Sequence, residues 1–498
     1  MSIWRIKPVS AFEAEMKKSD LKRVLTRWGL TSLGIGAIIG GGIFTLTGIA
    51  AHDFAGPALA LSFVIAGIGC LFASLCYAEF ASVLPVEGSA YSYAYGTVGE
   101  LFAWFIGWNL ILEYMMGATT VAVAWSGYFV KLLHLFGIDF PIWLCNDMTT
   151  AAEKCAELGM AAPGFAFNLP AFLITWVVTG VLIKGIKEAA STNNIIVIIK
   201  IAVVLFVIIV GAFYIKTENW TPFIPAEIPA LDDLGNATGK MNFGFGGVLT
   251  AATIVFFAYI GFDAVSTQAG EAINPKKDVP FAIVASLVIC TVLYILVSLV
   301  LTGMVKYDQL DKAAPVASAF SGIGLNWAVF FITIAATAGL TSVMLVMMLG
   351  QTRIFLGMAK DGLLPKGMFG ALHPKFKTPY KSTILVGAIV SIIAAVTPIG
   401  KISEMCSMGT LLAFAMVCVA VMMLRYKKPE LDRPYKTPAL YLVGTLGVSF
   451  NIFLMCFVRP ETWVAFLIWG TLGIIVYFLY SKRNSNLEKD KDHEVDFM

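Results

Sequence analysis

The sequence predicts an all-α integral membrane protein of twelve transmembrane helices, a five-plus-five inverted repeat followed by two further helices. Three observations lead there. The 498 residues are 58% hydrophobic and only 13% charged, with a mean hydropathy of +0.81, about half the roughly 25% charge of an average soluble protein. Apolar runs of ~20 residues, the length that crosses a ~30 Å bilayer core, recur along the chain. Two of those runs, in matching places, are broken by glycine. The same composition excludes a disordered chain, and a net charge of +3 on 35 basic and 32 acidic residues is too balanced for a nucleic-acid binder.

The runs lie at about 28–51, 56–82, 101–130, 168–183, 192–215, 243–270, 279–305, 325–352, 382–400, 405–424, 437–458 and 462–480, and are called spans one to twelve. Helices are expected because strands of a membrane barrel come in alternating segments of ~10 residues. The first run is too long for a signal peptide and lacks a small-residue cleavage site, so it is expected to stay. Lys and Arg favour the cytoplasmic side. With the N-terminus inside, 26 of the 35 basic residues fall on inner segments and eight on outer loops, while Lys200 lies within a span. The tails 1–27 and 481–498 are therefore expected in the cytoplasm and the spans in the plasma membrane. The basic stretch ending at Arg27 either rests on anionic lipid or is a solvated tail. Cys145 and Cys155 share an outer loop and are candidates for an external disulfide. The four histidines show no metal-ligand spacing, so no metal site is expected. No catalytic cluster and no phosphate-loop lysine motif appear, so neither an enzyme nor ATP-driven pumping is expected, and no cofactor.

Span one carries Gly34-Ile-Gly36-Ala37-Ile38-Ile39-Gly40-Gly41-Gly42-Ile43-Phe44. Three consecutive glycines burden a helix more than close packing through small residues requires. Span six carries Phe257-Ala258-Tyr259-Ile260-Gly261-Phe262-Asp263, where a glycine and a carboxylate interrupt the run. Five spans lie in 28–215 and five in 243–424, so the second set starts on the opposite side. The two remaining spans occupy 437–480. Inverted repeats whose first helices are broken point to a secondary transporter with a midplane site. Freed amides at Gly41, Gly42 and Ile43 begin a half-helix and suit a carboxylate. Freed carbonyls at Ile38, Phe257, Ala258 and Ile260 suit an ammonium group. An anion pole beside a cation pole fits a zwitterion, hence an amino acid.

Those two motifs, with Gly107-Trp-Asn-Leu-Ile-Leu-Glu113-Tyr, Pro85-Val-Glu-Gly-Ser-Ala-Tyr91, Asn274-Pro275, Gln351-Thr-Arg353, Asp361-Gly-Leu-Leu-Pro365 and Gly409-Thr-Leu-Leu-Ala-Phe414, resemble the amino acid–polyamine–organocation superfamily, and within it the cationic amino acid transporter family. The resemblance runs from span one to span ten. It implies the leucine-transporter fold, alternating access, and substrate held by the groups just named, with Phe257 as an outer gate. The third position of the break is Gly41, so no hydroxyl is offered there. Loops at about 135–167 and 217–242 are long for the family.

Ionisable residues inside a bilayer are costly and point to function or pairing. Three occur mid-span: Glu113, Lys200 and Asp263. In some relatives a lysine at the place of Lys200 replaces a coupling sodium ion. The resemblance gives it the carbonyls near Gly36 and Ala37 and the hydroxyls of Thr341 or Ser342 as partners, and a part in coupling transport to protons. Asp263 is expected to gate the inner half or pass protons, and Glu113 to meet a substrate side chain or a neighbouring helix. Met347 is either core packing or a wall of the side-chain pocket. The expected function is proton-coupled symport of small neutral or cationic L-amino acids, with an exchanger, a sensor or a channel as alternatives. The partners are then substrate, protons and membrane lipids. The oligomeric state is left open, a monomer being sufficient.

Overall fold

The computed structural model of the chain describes residues 5–7, 25–83, 89–185, 189–231, 237–267 and 272–489. Among them, eight helical segments are long and apolar enough to cross a membrane: Gly42–Val83, Glu100–Leu135, Ile195–Ala212, Gly244–Ser266, Pro275–Met304, Asn326–Lys360, Ile399–Lys427 and Pro460–Asn484. Shorter apolar helices at Leu169–Lys184, Tyr380–Val396 and Leu440–Met455 stand where spans four, nine and eleven are expected. The helices start where local chemistry directs. Asn168 caps span four by accepting from Ala171 N, with Pro170 in the first turn, and Pro275 and Pro460 open spans seven and twelve.

Both expected interruptions are present. The first half of span one is Arg27–Ile38, and helical structure resumes at Gly41–Gly42. Span six is helical over Gly244–Val255, tightens to a 3₁₀ turn at Phe256–Tyr259, opens, and resumes at Ala264–Thr267. Other boundaries differ from expectation. No loop separates spans one and two: π turns and a 3₁₀ turn at Gly56–Ala58 carry the chain into Leu59–Val83, with Gly56 at φ 59° turning the corner. Span three runs from Glu100 to Leu135 and span ten from Ile399 to Lys427, both longer than their apolar cores. Short helices at Ser89–Tyr95, Met148–Glu157 and Pro315–Gly322 and an antiparallel ribbon of Ile228–Leu231 with Ala237–Asn242 lie outside the expected spans.

Packing joins several spans to the one five places on: two against seven, three against eight, four against nine. The two breaks meet between them. A Cβ at Gly42 would fall 2.3 Å from Ala258 Cα, and one at Gly261 only 2.9 Å from Ala37 O. Gly261 also has φ 115°, a backbone conformation that favours glycine. Only hydrogen in place of a side chain lets the two backbones touch.

Residues 5–7 and 484–486, near the two ends of the chain, lie on one face, called here the termini face. Lys7 Nζ donates to Asp361 Oδ1 (3.1 Å) and Tyr91 Oη to Asp361 Oδ2 (2.7 Å). Arg5 lies 3.8 Å from Glu100, which is fully buried and also accepts from Tyr95, Tyr477 and Ser485. The backbone N of Asn486 donates to Asp361 O at 2.9 Å. The two tails thus clasp the ends of spans three and eight.

Gly42→Ala and Gly261→Ala are expected to destabilise the protein by about 1–3 kcal/mol through overpacking and backbone strain. Gly357→Ala, where nothing lies within 4 Å of an added Cβ, should hold or slightly raise stability. Thermal melting in detergent checks all three, and an unshifted Gly42→Ala would contradict the close contact.

Candidate functional site

The site is built where the second half of span one begins. Gly41, Gly42 and Ile43 form the first turn of that half-helix, so their amides have no preceding intrahelical carbonyl to bond. Above Gly41 there is room: a Cβ there would be 3.5 Å from Ala124 Cβ and 3.8 Å from both Val121 Cγ2 and the Phe257 ring. Span three and Phe257 thus wall a small space over a cluster of amide donors. Ile43 is buried and its carbonyl accepts from Thr47 Oγ1 at 2.9 Å.

The carbonyl groups are more engaged than the sequence implies. Tyr294, from span seven, is fully buried and sets its hydroxyl 2.8 Å from Ile38 O and 3.0 Å from Ala258 O. It therefore bridges the two breaks. Its single proton serves one carbonyl at a time. Phe257 O closes a turn by accepting from Ile260 N at 3.1 Å. Tyr294 carries no motif, and an aromatic in an apolar run reads as core, which is why sequence reasoning passes over it. Its ring does pack as core, tilted against Phe63 and edge-on to Tyr259.

Lys200 is fully buried, and its Nζ donates to Gly36 O at 2.8 Å. Span five closes onto span one because Gly36 lacks a side chain: a Cβ there would lie 2.2 Å from Val197 Cγ2. Ala37 O faces Gly261 rather than the lysine. Span eight does reach Lys200, but through Gly339, whose Cβ would fall 2.9 Å from Lys200 Cε. Thr341 is directed elsewhere, its hydroxyl accepting from Trp125 Nε1 (2.9 Å) and donating to Thr337 O (2.8 Å). Ser342 is buried on the same helix. Two to three positions along the helix separate the expected hydroxyls from the glycine that makes the contact.

Towards the termini face, Glu113 and Asp263 are buried and close enough to repel each other, with Tyr77 and Tyr114 beside both. Thr410 lies next to Glu113 but gives its proton to Cys406 O (3.0 Å), and neither Glu113 carboxylate oxygen has a hydrogen-bond partner. Cys406 Sγ donates to Glu113 O at 3.1 Å. Met347 is buried, with its sulfur 3.4 Å from where a Cβ would stand on Gly117, one turn above Glu113. These residues form a second layer beneath the breaks, continuous with the first through span three.

The disulfide expected between Cys145 and Cys155 is not formed in this structure; both are free thiols. Cys145 Sγ instead bonds Ile142 O and Asn146 Nδ2, and Cys155 is buried on the inward side of the Met148–Glu157 helix.

Residues 25–479 match the amino acid permease family. A methylthioribose transporter of Bacillus subtilis (strain 168) is 42% identical over 98% of this chain and 100% of its own length. The branched-chain amino acid permease BcaP of the same organism is 44% identical over 98% of this chain and 99% of its own. The vacuolar cationic amino acid transporter 4 of Arabidopsis thaliana is 37% identical over 82% of this chain, which spans 64% of that protein.

Tyr294→Phe leaves two buried carbonyls short of their shared donor and should cost about 1–3 kcal/mol. The check is thermal melting in detergent beside Tyr259→Phe, which loses a bond to one carbonyl only, Phe63 O. A Tyr294→Phe protein as stable as the parent would contradict the bridge.

Proposed function

The chain belongs to the amino acid permease family, with its leucine-transporter fold, and from that premise we propose that it imports an α-amino acid by proton-coupled alternating access. It is a permease and not an enzyme. The observation that carries the reading is the meeting of two broken helices, one offering first-turn amides and the other carbonyls across a gap bridged by Tyr294. A substrate carboxylate suits Gly41, Gly42 and Ile43, where the half-helix dipole favours negative charge. The amino group suits Ile38, Ala258 and Ile260, taking over the acceptors Tyr294 now shares, with Phe257 closing above. Phe257 O is the weaker ligand because its turn already uses it. Preorganised backbone dipoles cost no rearrangement on binding, which favours recognition of the invariant α-carbon groups over the side chain.

The groups nearest Gly41, Ala124, Val121 and the Phe257 ring, are apolar, which supports small or branched neutral amino acids. Cationic ones would place their charge towards Glu113. The relatives transport, by their names, branched-chain and cationic amino acids and methylthioribose, a sugar derivative with no α-amino acid head.

Coupling is assigned to Lys200. Its buried amine joins span five to the first half of span one, and when protonated it stands where a bound metal cation would otherwise serve. Gain or loss of its proton changes the hold on Gly36, and so the freedom of that half-helix to swing. Asp263, just after the second break, and Glu113 beside it are the groups through which protons would pass towards the termini face. No ATP and no cofactor enter this scheme. The termini face is taken as cytoplasmic, in the plasma membrane, with a monomer as the working unit; exchange in place of symport is the alternative.

The test is uptake into proteoliposomes of labelled leucine, alanine, arginine and methylthioribose, with and without an inward proton gradient. Amino-acid uptake accelerated by the gradient is expected. Uptake of methylthioribose alone would overturn the substrate class, and uptake driven only by sodium would overturn the coupling. Lys200→Ala should retain substrate binding while losing its response to the gradient; an unchanged proton-to-substrate ratio would remove Lys200 from the mechanism.

A further inference from the structure

The face opposite the termini is closed over the site, and one lysine joins the pieces that close it. Residues 311–315 lie flat on the second half of span one, since a Cβ at Gly48 would fall 2.4 Å from Asp311 O. They also lie on span three, where a Cβ at Gly127 would be 3.0 Å from Ala313 O. Asp311 fixes this turn, accepting from Ala313 N, Ala314 N and Ser318 Oγ at the start of the Pro315–Gly322 helix. Beneath, Tyr128 Oη donates to Phe44 O at 2.6 Å, tying span three to span one.

Lys312 projects from this turn. Its Nζ is 2.9 Å from Asp53 Oδ1, at the far end of span one, and 3.7 Å from Glu153 Oε2, on the Met148–Glu157 helix of the long loop after span three. His52 Nδ1 lies 2.6 Å from the same Asp53 oxygen, and Glu157 also faces the lysine. Burial pulls the Lys312 ammonium down, but the carboxylates of Asp53, Glu153 and Glu157 more than offset this and hold it above the usual lysine range. The ammonium thus ties its own turn to two elements, the end of span one and the Met148–Glu157 helix, that an outward opening has to part.

We propose that Lys312 is a positioning residue of the gate on the face opposite the termini, its ammonium binding the end of span one to the helix of the 135–167 loop so that opening towards that side requires the joint to break. The long loop then serves as the anchor against which span one closes. The inference rests on the alternating-access reading above. Each pair is partly exposed, which sets the expected effect at about two- to fivefold in gate opening for each, and a charge network of this kind weakens with ionic strength.

The experiment needs no knowledge of the substrate. In intact cells carrying full-length protein with Cys145→Ser, Cys155→Ser and Cys456→Ser, the exposed or loop thiols, a reporter Val121→Cys near Gly41 is labelled by a membrane-impermeant maleimide. Lys312→Asp and Asp53→Lys should each speed labelling about two- to fivefold or more, and the double variant, which restores the pair in reverse, should return close to the parent rate. Lys312→Arg keeps the charge and should label like the parent, which separates gating from damage to the fold. Unchanged labelling in Lys312→Asp, or a double variant as fast as the singles, would overturn the proposal. Labelling of Trp143→Cys on the exposed loop reports the orientation, so a wrong orientation is recognised separately from a wrong gate.

Discussion

Everything in this molecule depends on two stretches of bare backbone touching inside a membrane. Where Gly42 meets Ala258 and Gly261 meets Ala37, side chains are excluded and peptide groups face one another. Away from water an unsatisfied amide or carbonyl is costly, so irregular backbone at this depth persists only where it is enclosed by protein or lines a cavity. The surrounding spans meet that requirement. Tyr294 serves two carbonyls and Lys200 a third, while span seven and span five bring them in. The first-turn amides at Gly41, Gly42 and Ile43, which helix geometry leaves without an intrahelical carbonyl, are the groups proposed to hold the substrate carboxylate.

The two faces are held differently. On the termini face Glu100 is wholly buried among Arg5, Tyr95, Tyr477 and Ser485, and the partly buried Asp361 is held by Lys7 and Tyr91. Breaking a buried, hydrogen-bonded pair is far more costly than parting exposed charges. On the opposite face the joint is partly solvated and centred on Lys312. Under the proposed alternating access the two sides would have unequal barriers, with residues 5–7 and 484–486 on the stiffer one.

Much of this is legible in the sequence alone. A glycine triplet in an apolar run has few explanations, and its match in span six, five spans later, makes the pair of breaks readable from spacing. Lys200 is legible because a lysine in a bilayer needs a partner, and Gly36 O is that partner. What escapes is whatever rides on rotation about a helix axis or on close approach between distant segments. Thr341 is an expected partner of Lys200, but the helix turns Gly339 there instead. Tyr294 looks like any core aromatic until its hydroxyl is placed. The stretch 52–55 reads as a connection between spans one and two because polar residues interrupt the apolar run there, yet helical turns carry the chain through it. The cysteines of the outer loop share a segment, yet the helix at Met148–Glu157 turns Cys155 inward.

Recognition of the α-carbon groups of an amino acid by the backbone of the broken helices is tested most directly by an experimental structure of the full-length protein with a transported amino acid bound. The carboxylate is expected about 3 Å from the amides of Gly41, Gly42 and Ile43, and the amino group against the Ile38, Ala258 and Ile260 carbonyls, with the Tyr294 hydroxyl displaced or shared. A substrate seated instead between Glu113 and Asp263, with the amides of the first break left empty, would contradict it.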